Sequence, residues 1–179
     1  MSYCDFVKDL DCNNKNKLYH DLEYGFPIEE DDELFGRLIL EINQAGLSWT
    51  TILNKKDSIR EAYSNFSIEK IALYADSDKL RLLSNTGIIR NKLKIKAVIH
   101  NAQVILKIQK ESGSFKHWLD QNHPLTKNEW IKLFKETFKF TGGEITNEFL
   151  MSTGYLEGAH QKDCPIYQKV IKCKPKWLE

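Results

Sequence analysis

The chain has 179 residues and a formal net charge of +1 at pH 7, a length that fits one compact domain or two small lobes around a shared core. Apolar residues make up 41% of the chain and charged residues 28%, which excludes a disordered or fibrous protein. Residues 1–10 contain three charged side chains in place of a hydrophobic signal core, and no apolar run reaches the ~18 residues that span a bilayer. We therefore expect a single domain over residues 1–179, located in the cytoplasm and without membrane contact.

The spacing of apolar residues predicts helices along most of the chain. Intervals of three and four, which place side chains on one helix face, recur throughout, and no stretch alternates as a strand would. In chain order the predicted helices cover residues 28–45, 48–53, 57–64, 67–75, 77–84, 91–111, 114–121, 127–137 and 142–153. Thr126 and Glu129 form the sequence pattern of a capping box before the helix at 127–137. The expected fold is all-α, a compact assembly of short helices.

Residues 79–110 are the most strongly basic part of the chain, with eight Lys and Arg residues and no Asp or Glu. Near the centre of this segment one predicted helix ends, and a short turn containing Gly87 leads into the next. Backbone amides at such a turn and at a helix N-terminus bind phosphate. The pattern predicts a helix-hairpin-helix motif at about residues 79–100, with Gly87, Arg90, Lys92 and Lys94 at the DNA backbone. The alternative is an ordinary helical connection with a solvated lysine face.

Cysteine and histidine residues near the two ends of the chain are candidate metal ligands. The candidates are Cys4, His20, His160 and Cys164. Two Cys and two His side chains form a closed tetrahedral zinc site, which is structural because no position remains for water. Cys12 or Cys173 could replace one ligand, and a buried cysteine beside a surface histidine is the simpler alternative. Disulfide bonds between the four cysteines would be expected only in an exported protein.

A carboxylate and several aromatic side chains lie near the end of the first predicted helix. Glu41 directly follows three apolar residues, so we expect its carboxyl group to be partly desolvated. Trp49 follows shortly after it, and Tyr19 and Tyr24 precede it. Aromatic rings beside a carboxylate suit a flat, cationic heterocycle. The alternatives are a glutamate on the helix surface and an aromatic cluster that belongs to the core.

Four motifs, in this order, resemble the 3-methyladenine DNA glycosylase I family across nearly the whole chain. They are Tyr19-His20-Asp21 with Glu23-Tyr24-Gly25, the segment from Gln44 to Trp49, the segment from Gly87 to Ile95, and His160 with Cys164. The resemblance implies the fold of the helix-hairpin-helix glycosylase superfamily and a monofunctional enzyme that excises 3-methyladenine from alkylated DNA. It also implies a structural Zn²⁺ ion that ties the termini together, bound by Cys4, His20, His160 and Cys164.

The resemblance also assigns roles to single residues of the expected base pocket. Glu41 matches the glutamate that contacts the excised base and is the expected catalytic residue, while Tyr19 and Trp49 match aromatic residues of the pocket. Tyr24 is expected in the pocket too, at a position where the family usually has tryptophan. Further departures from the family pattern are Asn43, Asn147, Glu148 and Met151. These departures leave the breadth of base selectivity open.

The expected reaction is hydrolysis without a dedicated base after the hairpin. No Asp or Glu occurs between Asp78 and Glu111, where many relatives in the superfamily carry an aspartate. Methylation at N3 makes adenine cationic and therefore a good leaving group, so nucleotide flipping and stabilisation of the departing base are sufficient. Water then attacks the sugar and leaves an abasic site. Expected partners are double-stranded DNA with alkylated bases and free 3-methyladenine as the product, and we expect a monomer.

Two other functions are compatible with the same sequence. The first is a non-catalytic damaged-DNA-binding protein with the same fold, which would bind duplex in a salt-dependent way without releasing a base. The presence of Glu41, Tyr19 and Trp49 argues against it. The second is an unrelated helical zinc protein that acts as an interaction module, for which the basic segment would be incidental.

Overall fold

The structure, a computed structural model, describes residues 2–179. Within these residues the chain forms eleven α-helices, two short 3₁₀ helices at Ser64–Phe66 and Lys176–Leu178, and no strand. The α-helices are α1 (Tyr3–Val7), α2 (Lys15–Leu22), α3 (Asp31–Gln44), α4 (Trp49–Ala62), α5 (Ile68–Ala72), α6 (Asp76–Ser84), α7 (Lys92–Ser112), α8 (Phe115–Asn122), α9 (Lys127–Thr137), α10 (Gly143–Ser152) and α11 (Pro165–Lys172). The prediction of an all-α fold is confirmed. Over residues 2–179, no helix combines the length and apolar character needed to cross a membrane.

Helix α3 is the central element of the fold. It packs against α4, α5, α7, α8 and α10, and its residues 34–43 are all buried. The Asp31 carboxylate accepts hydrogen bonds from Gln109 Nε2 at 2.6 Å and from the amides of Phe115 and Lys116 at 2.7 and 2.9 Å. A carboxylate at the first turn is also favoured by the helix dipole. Asp31 therefore fixes the start of α3 against the end of α7 and the start of α8.

The close packing of α3 depends on a glycine in its middle. A Cβ atom at Gly36 would lie 2.2 Å from Cδ2 of Phe66, far inside van der Waals contact. The turn at Ser64–Phe66 is thereby held directly against the helix.

The structure differs from the predicted helices at three places. The two helices predicted at 48–53 and 57–64 are one continuous helix, α4, because the polar residues between them form its exposed side and contain no helix breaker. Helices α1 and α2 were not predicted, since each is short and buries few apolar residues. The helix ending near residue 153 is not the last one, because α11 follows with Ile166 and Val170 buried.

The two ends of the chain meet on one side of α10. The amide of Gly25 donates to the carbonyl of Ser152 at 2.9 Å, and the amide of Trp177 donates to the carbonyl of Gly154 at 3.2 Å. These bonds bring the segment after α2 and the C-terminal segment to the same loop after α10. The arrangement encloses one side of the cavity described next.

Candidate active site

A cavity of about 860 Å³ lies between α2, the end of α3, the start of α4 and α10. The four residues predicted for the base pocket and catalysis, Tyr19, Tyr24, Glu41 and Trp49, all line it. It is large enough for a purine base, since ligand cavities typically measure ~300–1,000 Å³. The structure therefore brings these four side chains together, although they come from three helices and a turn.

The Glu41 carboxyl group is buried and without a partner. The side chain is only 4% exposed, and no hydrogen bond or ion pair from the rest of residues 2–179 reaches it. Burial, and then the charge of Glu148, raise the pKa of Glu41 to about 8, while Arg37 acts in the opposite direction. A ligand that supplies the missing partner of such a buried polar group is therefore bound more favourably.

Arg37 does not neutralise Glu41 because its own hydrogen bonds are made elsewhere. Its guanidinium group donates to the Tyr19 hydroxyl at 3.1 Å, to the Ser152 carbonyl at 3.2 Å and to Glu23 at 3.3 Å. The hydrogen bond from Arg37 therefore orients the Tyr19 side chain. The cavity side of Glu41 is left for an occupant.

Aromatic rings form one wall of the cavity. The Tyr19 ring lies 5.0 Å from Trp49 and 5.7 Å from Tyr24, measured between centroids. Tyr3, which sequence analysis did not single out, also lines the cavity and lies edge-on to Tyr24 at 5.5 Å. Its position next to the metal-ligand candidate Cys4 was the available signal. Rings at these separations provide flat apolar surface on which a heterocycle can stack.

A second wall of the cavity is acidic and comes from α10. Glu144 and Glu148 are one turn apart and both line the cavity, and the Tyr24 hydroxyl donates to Glu148 Oε2 at 3.1 Å. No Lys or Arg is among the lining residues in the described chain. In the sequence Glu148 stands out only as a departure from the family pattern, because one helical turn does not reveal which side of the helix faces a cavity.

Only two of the five departures from the family pattern, Tyr24 and Glu148, line the cavity. Asn43 is fully buried in α3, with its amide bonded to the Ile39 carbonyl at 2.8 Å. Asn147 and Met151 contact each other, with Nδ2 and Sδ 3.7 Å apart. A change in base selectivity would therefore originate at the bonded pair of Tyr24 and Glu148.

The predicted hairpin is a turn over residues 85–91 between α6 and α7. Asn85 Oδ1 accepts the Gly87 amide at 2.8 Å, and Asn91 Oδ1 caps α7 by accepting two amides. In the described chain the amides of Ile89 and Arg90 have no acceptor. Gly87 does not have a positive φ. It lets the turn approach α4 closely, since a Cβ atom there would lie 3.2 Å from Ser58 Cβ, a tight contact that a small shift would have to relieve.

The basic surface near this turn is smaller than the sequence predicts. Lys79 and Arg81 pair with Asp76 and Asp78 in the first turn of α6, immediately before the segment that lacks acidic residues. The exposed cations without an ion pair among the described residues near the turn are Arg90, Lys92 and Lys96. Cations placed in this way suit contacts to phosphate groups.

The structure corrects the prediction that Lys94 contacts DNA. Its side chain is buried, and its ammonium group donates to the carbonyls of Asn43 at 2.8 Å and Ala45 at 2.7 Å. Burial lowers the pKa of Lys94. These carbonyls are at the C-terminal end of α3, where a cation is favoured by the unpaired carbonyls and the helix dipole. Lys94 therefore joins the helix after the hairpin to the cavity wall.

The four candidate metal ligands lie together between the chain ends. Their donor atoms are all within 4.8 Å of one another, in a group of Cys4, His20, His160 and Cys164. The His20 Nε2 to Cys4 Sγ distance is 3.3 Å, the distance between the two histidine nitrogens is 3.2 Å, and Cys164 Sγ is 3.8 Å from each histidine. Tetrahedral Zn–S and Zn–N bonds would give edges of about 3.3–3.8 Å, so the donor set fits a four-coordinate metal ion.

The surroundings of this cluster also fit a metal site. The second ring nitrogen of His20 lies 2.6 Å from Asp21 Oδ1, and that of His160 lies 2.7 Å from the Tyr24 carbonyl. Such partners fix the ring orientation and tautomer of metal-binding histidines. Cys12 and Cys173 are exposed and outside the cluster, which excludes them as replacement ligands in this arrangement.

Comparisons with known proteins identify the family. The methyladenine glycosylase family model matches residues 10–168. The chain belongs to this family. It is 36% identical over 166 residues to the DNA-3-methyladenine glycosylase of Haemophilus influenzae, covering 82% of this chain and 89% of that protein. It is 33% identical over 168 residues to DNA-3-methyladenine glycosylase 1 of Escherichia coli, covering 83% and 89%.

A solved structure shows the same fold. The 3-methyladenine DNA glycosylase I of Staphylococcus aureus, in a structure that describes its recognition of 3-methyladenine, superposes with a TM-score of 0.81 at 32% identity. The match covers 92% of this chain and 95% of that one. The fold of the 3-methyladenine DNA glycosylase I family is therefore shown for this chain.

The metal cluster gives a testable prediction for stability. Replacement of Cys164 by Ser should remove the bound metal and lower the thermal stability of the protein, because a closed site contributes folding free energy. The matched control is Cys173→Ser, at an exposed cysteine outside the cluster. Metal content by mass spectrometry and thermal unfolding measure both effects. Equal metal content in the two variants would disprove the ligand assignment.

Proposed function

We propose that the protein is a monofunctional DNA glycosylase that hydrolyses the N-glycosidic bond of 3-methyladenine in alkylated duplex DNA and leaves an abasic site. The observation that carries this proposal is the buried, unpartnered carboxyl group of Glu41 in an aromatic cavity. A methylated purine supplies what the cavity lacks, namely positive charge and hydrogen-bond donors on a flat ring. The family to which the chain belongs supports the same substrate.

The chemistry follows from the charge of the damaged base. Methylation at N3 makes adenine cationic in DNA, so the bond to the sugar breaks with little assistance. Ionised Glu41 attracts the cationic nucleotide into the cavity, while Tyr19 and Trp49 hold the ring in the flipped position. As the bond breaks, its electron pair passes to the base, which leaves as neutral 3-methyladenine, and the Glu41 carboxylate stabilises the positive charge that develops on the sugar. Water attacks the sugar carbon as the base departs. In the described chain no carboxylate lies on the hairpin turn itself, in keeping with a reaction that depends on the leaving group.

The ion in the Cys and His cluster is proposed to be Zn²⁺. Two thiolates and two imidazoles are ligands typical of structural zinc, and Cys4, His20, His160 and Cys164 would hold it. With all four positions occupied by the protein, it supplies folding free energy and no reactive water. The cluster shares Tyr24 with the cavity, because the Tyr24 carbonyl accepts from His160. Bound metal would therefore fix one wall of the base pocket.

DNA binding is proposed to depend on the hairpin turn. Arg90 and Lys92 are exposed beside the free amides of Ile89 and Arg90, which suits phosphate contacts without base reading. Gly87 allows the turn to lie close to α4. We propose that the enzyme acts as a monomer on chromosomal DNA in the cytoplasm, with free 3-methyladenine as the released product.

The direct test of this function is base release from alkylated duplex DNA. Chromatography should detect free 3-methyladenine, counted separately from 3-methylguanine and 7-methylguanine, and the DNA should retain intact strands with abasic sites. Binding of the duplex with no release of any base would instead favour the non-catalytic damaged-DNA-binding protein.

Activity should increase with pH through the titration of Glu41. The carboxyl group of the free enzyme has a pKa of about 8, and only its ionised form attracts the cationic base. The value of kcat/KM should therefore rise with pH, with an apparent pKa near 8 that belongs to the free enzyme. Replacement of Glu41 by Gln should lower kcat/KM by about 10²–10³ and remove this rise. A pH profile that is the same in both proteins would exclude Glu41 as the titrating group.

Arg90 should contribute a phosphate contact and Lys107 should not. Replacement of Arg90 by Ala should weaken binding to duplexes of any sequence. The slope of log K against the logarithm of the salt concentration should become shallower by about 1. The control is Lys107→Ala, which removes an exposed cation near the C-terminal end of α7, far from the turn. Titrations at several salt concentrations measure both slopes. Equal slopes for the two variants would place the phosphate contacts elsewhere.

A further inference from the structure

The cavity is lined by more carboxyl groups than are needed to enclose a base. Besides Glu41 on α3, the cavity is lined by Glu144 and Glu148 on α10, and no Lys or Arg lines it in the described chain. Helices α3 and α10 pack against each other. Carboxyl groups therefore enter the same cavity from two adjacent helices, in a chain whose net charge is +1.

Glu148 is held in place and Glu144 is not. Glu148 is partly buried, and the Tyr24 hydroxyl donates to its Oε2 atom at 3.1 Å. Tyr24 is itself fixed, because its carbonyl accepts from His160 at 2.7 Å. Glu144, one turn earlier, is exposed and has no hydrogen-bond partner for its side chain among residues 2–179. Orientation by a buried hydroxyl is typical of a side chain that contacts a ligand.

Glu148 also affects Glu41 directly. Its charge is the largest contribution after burial to the raised pKa of the Glu41 carboxyl, so the two groups are close enough to repel each other when ionised. An occupant with a positive charge relieves this repulsion. A neutral occupant of the same shape leaves two carboxyl groups without a counter-charge in a partly desolvated cavity, which is unfavourable.

We infer that Glu148 is a specificity-determining residue which, oriented by Tyr24, acts with Glu41 to select purines that carry a positive charge over neutral purines of similar shape. The inference deepens the proposed function and rests on it for the nature of the occupant. Selection by charge separates these damaged bases from normal bases at the cavity itself, since purines methylated at N3 or N7 in DNA are cationic and normal purines are neutral. It also extends acceptance to cationic purines methylated at other ring nitrogens that fit the cavity.

The test compares two small ligands with the full-length protein. One is 3,9-dimethyladenine, which is cationic near neutral pH, and the other is neutral 9-methyladenine. Dissociation constants are measured by tryptophan fluorescence or calorimetry, and their ratio gives the preference for the cation. Glu148→Gln should lower this preference about tenfold, the scale of one charge-assisted interaction, mainly by weakening binding of the cation.

Two further variants separate a role in selection from a structural role. Glu144→Gln removes the same charge from the same helix at an exposed position and should change the preference less than Glu148→Gln does. Tyr24→Phe should lower the preference partway, because it removes only the hydroxyl that orients Glu148. The inference is overturned if Glu148→Gln leaves the preference unchanged, or if Glu144→Gln lowers it equally.

Failure of this inference is distinguishable from failure of the proposed function. Base release from DNA by the unaltered protein tests the function, and the preference ratio in Glu148→Gln tests the inference. An unchanged ratio together with release of 3-methyladenine would refute only the role of Glu148. A protein that releases no base but loses its preference in Glu148→Gln would retain the cation site without the reaction.

Discussion

The burial of one carboxyl group without a partner is the constraint on which the site depends. Glu41 is on the central helix, and the nearby guanidinium group of Arg37 is bonded to Tyr19, Ser152 and Glu23. Leaving a polar group in this state costs folding free energy. The rest of the fold provides the compensation through the large core around α3. Functional sites commonly break a local packing rule in this way and are stabilised by their surroundings.

Helix α3 also connects the cavity to the hairpin. Its C-terminal carbonyls accept hydrogen bonds from Lys94, which is on the first turn of α7 just after the hairpin. Gln44, Ala45 and Gly46 at this end of α3 line the cavity. The position of the hairpin turn relative to the cavity is therefore set by a buried hydrogen-bonded contact. A lysine that the sequence assigns to DNA binding instead holds the two parts of the site together.

The sequence predicts the fold class and several helices because the relevant signals are local. Helix α9 has the predicted bounds, and its capping box is present, with Thr126 accepting from the Glu129 amide while Glu129 accepts from Thr126. Helices α1 and α2 are short and bury few apolar residues, and they are held by contacts at the metal cluster between distant parts of the chain. Such contacts have no local sequence signal.

The same distinction applies to the candidate site. The pattern of a carboxylate near aromatic residues, and then the motif resemblance, indicated Glu41, Tyr19 and Trp49, and the structure places them at one cavity. The bond between Tyr24 and Glu148 joins residues 124 positions apart, so neither residue predicts the other from the sequence alone. The burial of Lys94 was equally inaccessible, because the nearest cations on either side, Lys92 and Lys96, are exposed and its partners are backbone carbonyls at the end of another helix.

The central claim is that Glu41 is a buried carboxyl group whose missing partner is a cationic base. The most direct measurement is a ¹³C NMR titration of the glutamate carboxyl carbons in the free protein and with 3,9-dimethyladenine bound, with Glu41→Gln used to assign the resonance. The account predicts a pKa of about 8 for Glu41 in the free protein and a marked decrease when the cation is bound. A pKa near the ordinary value of 4.5 in the free protein, unchanged by the ligand, would contradict it.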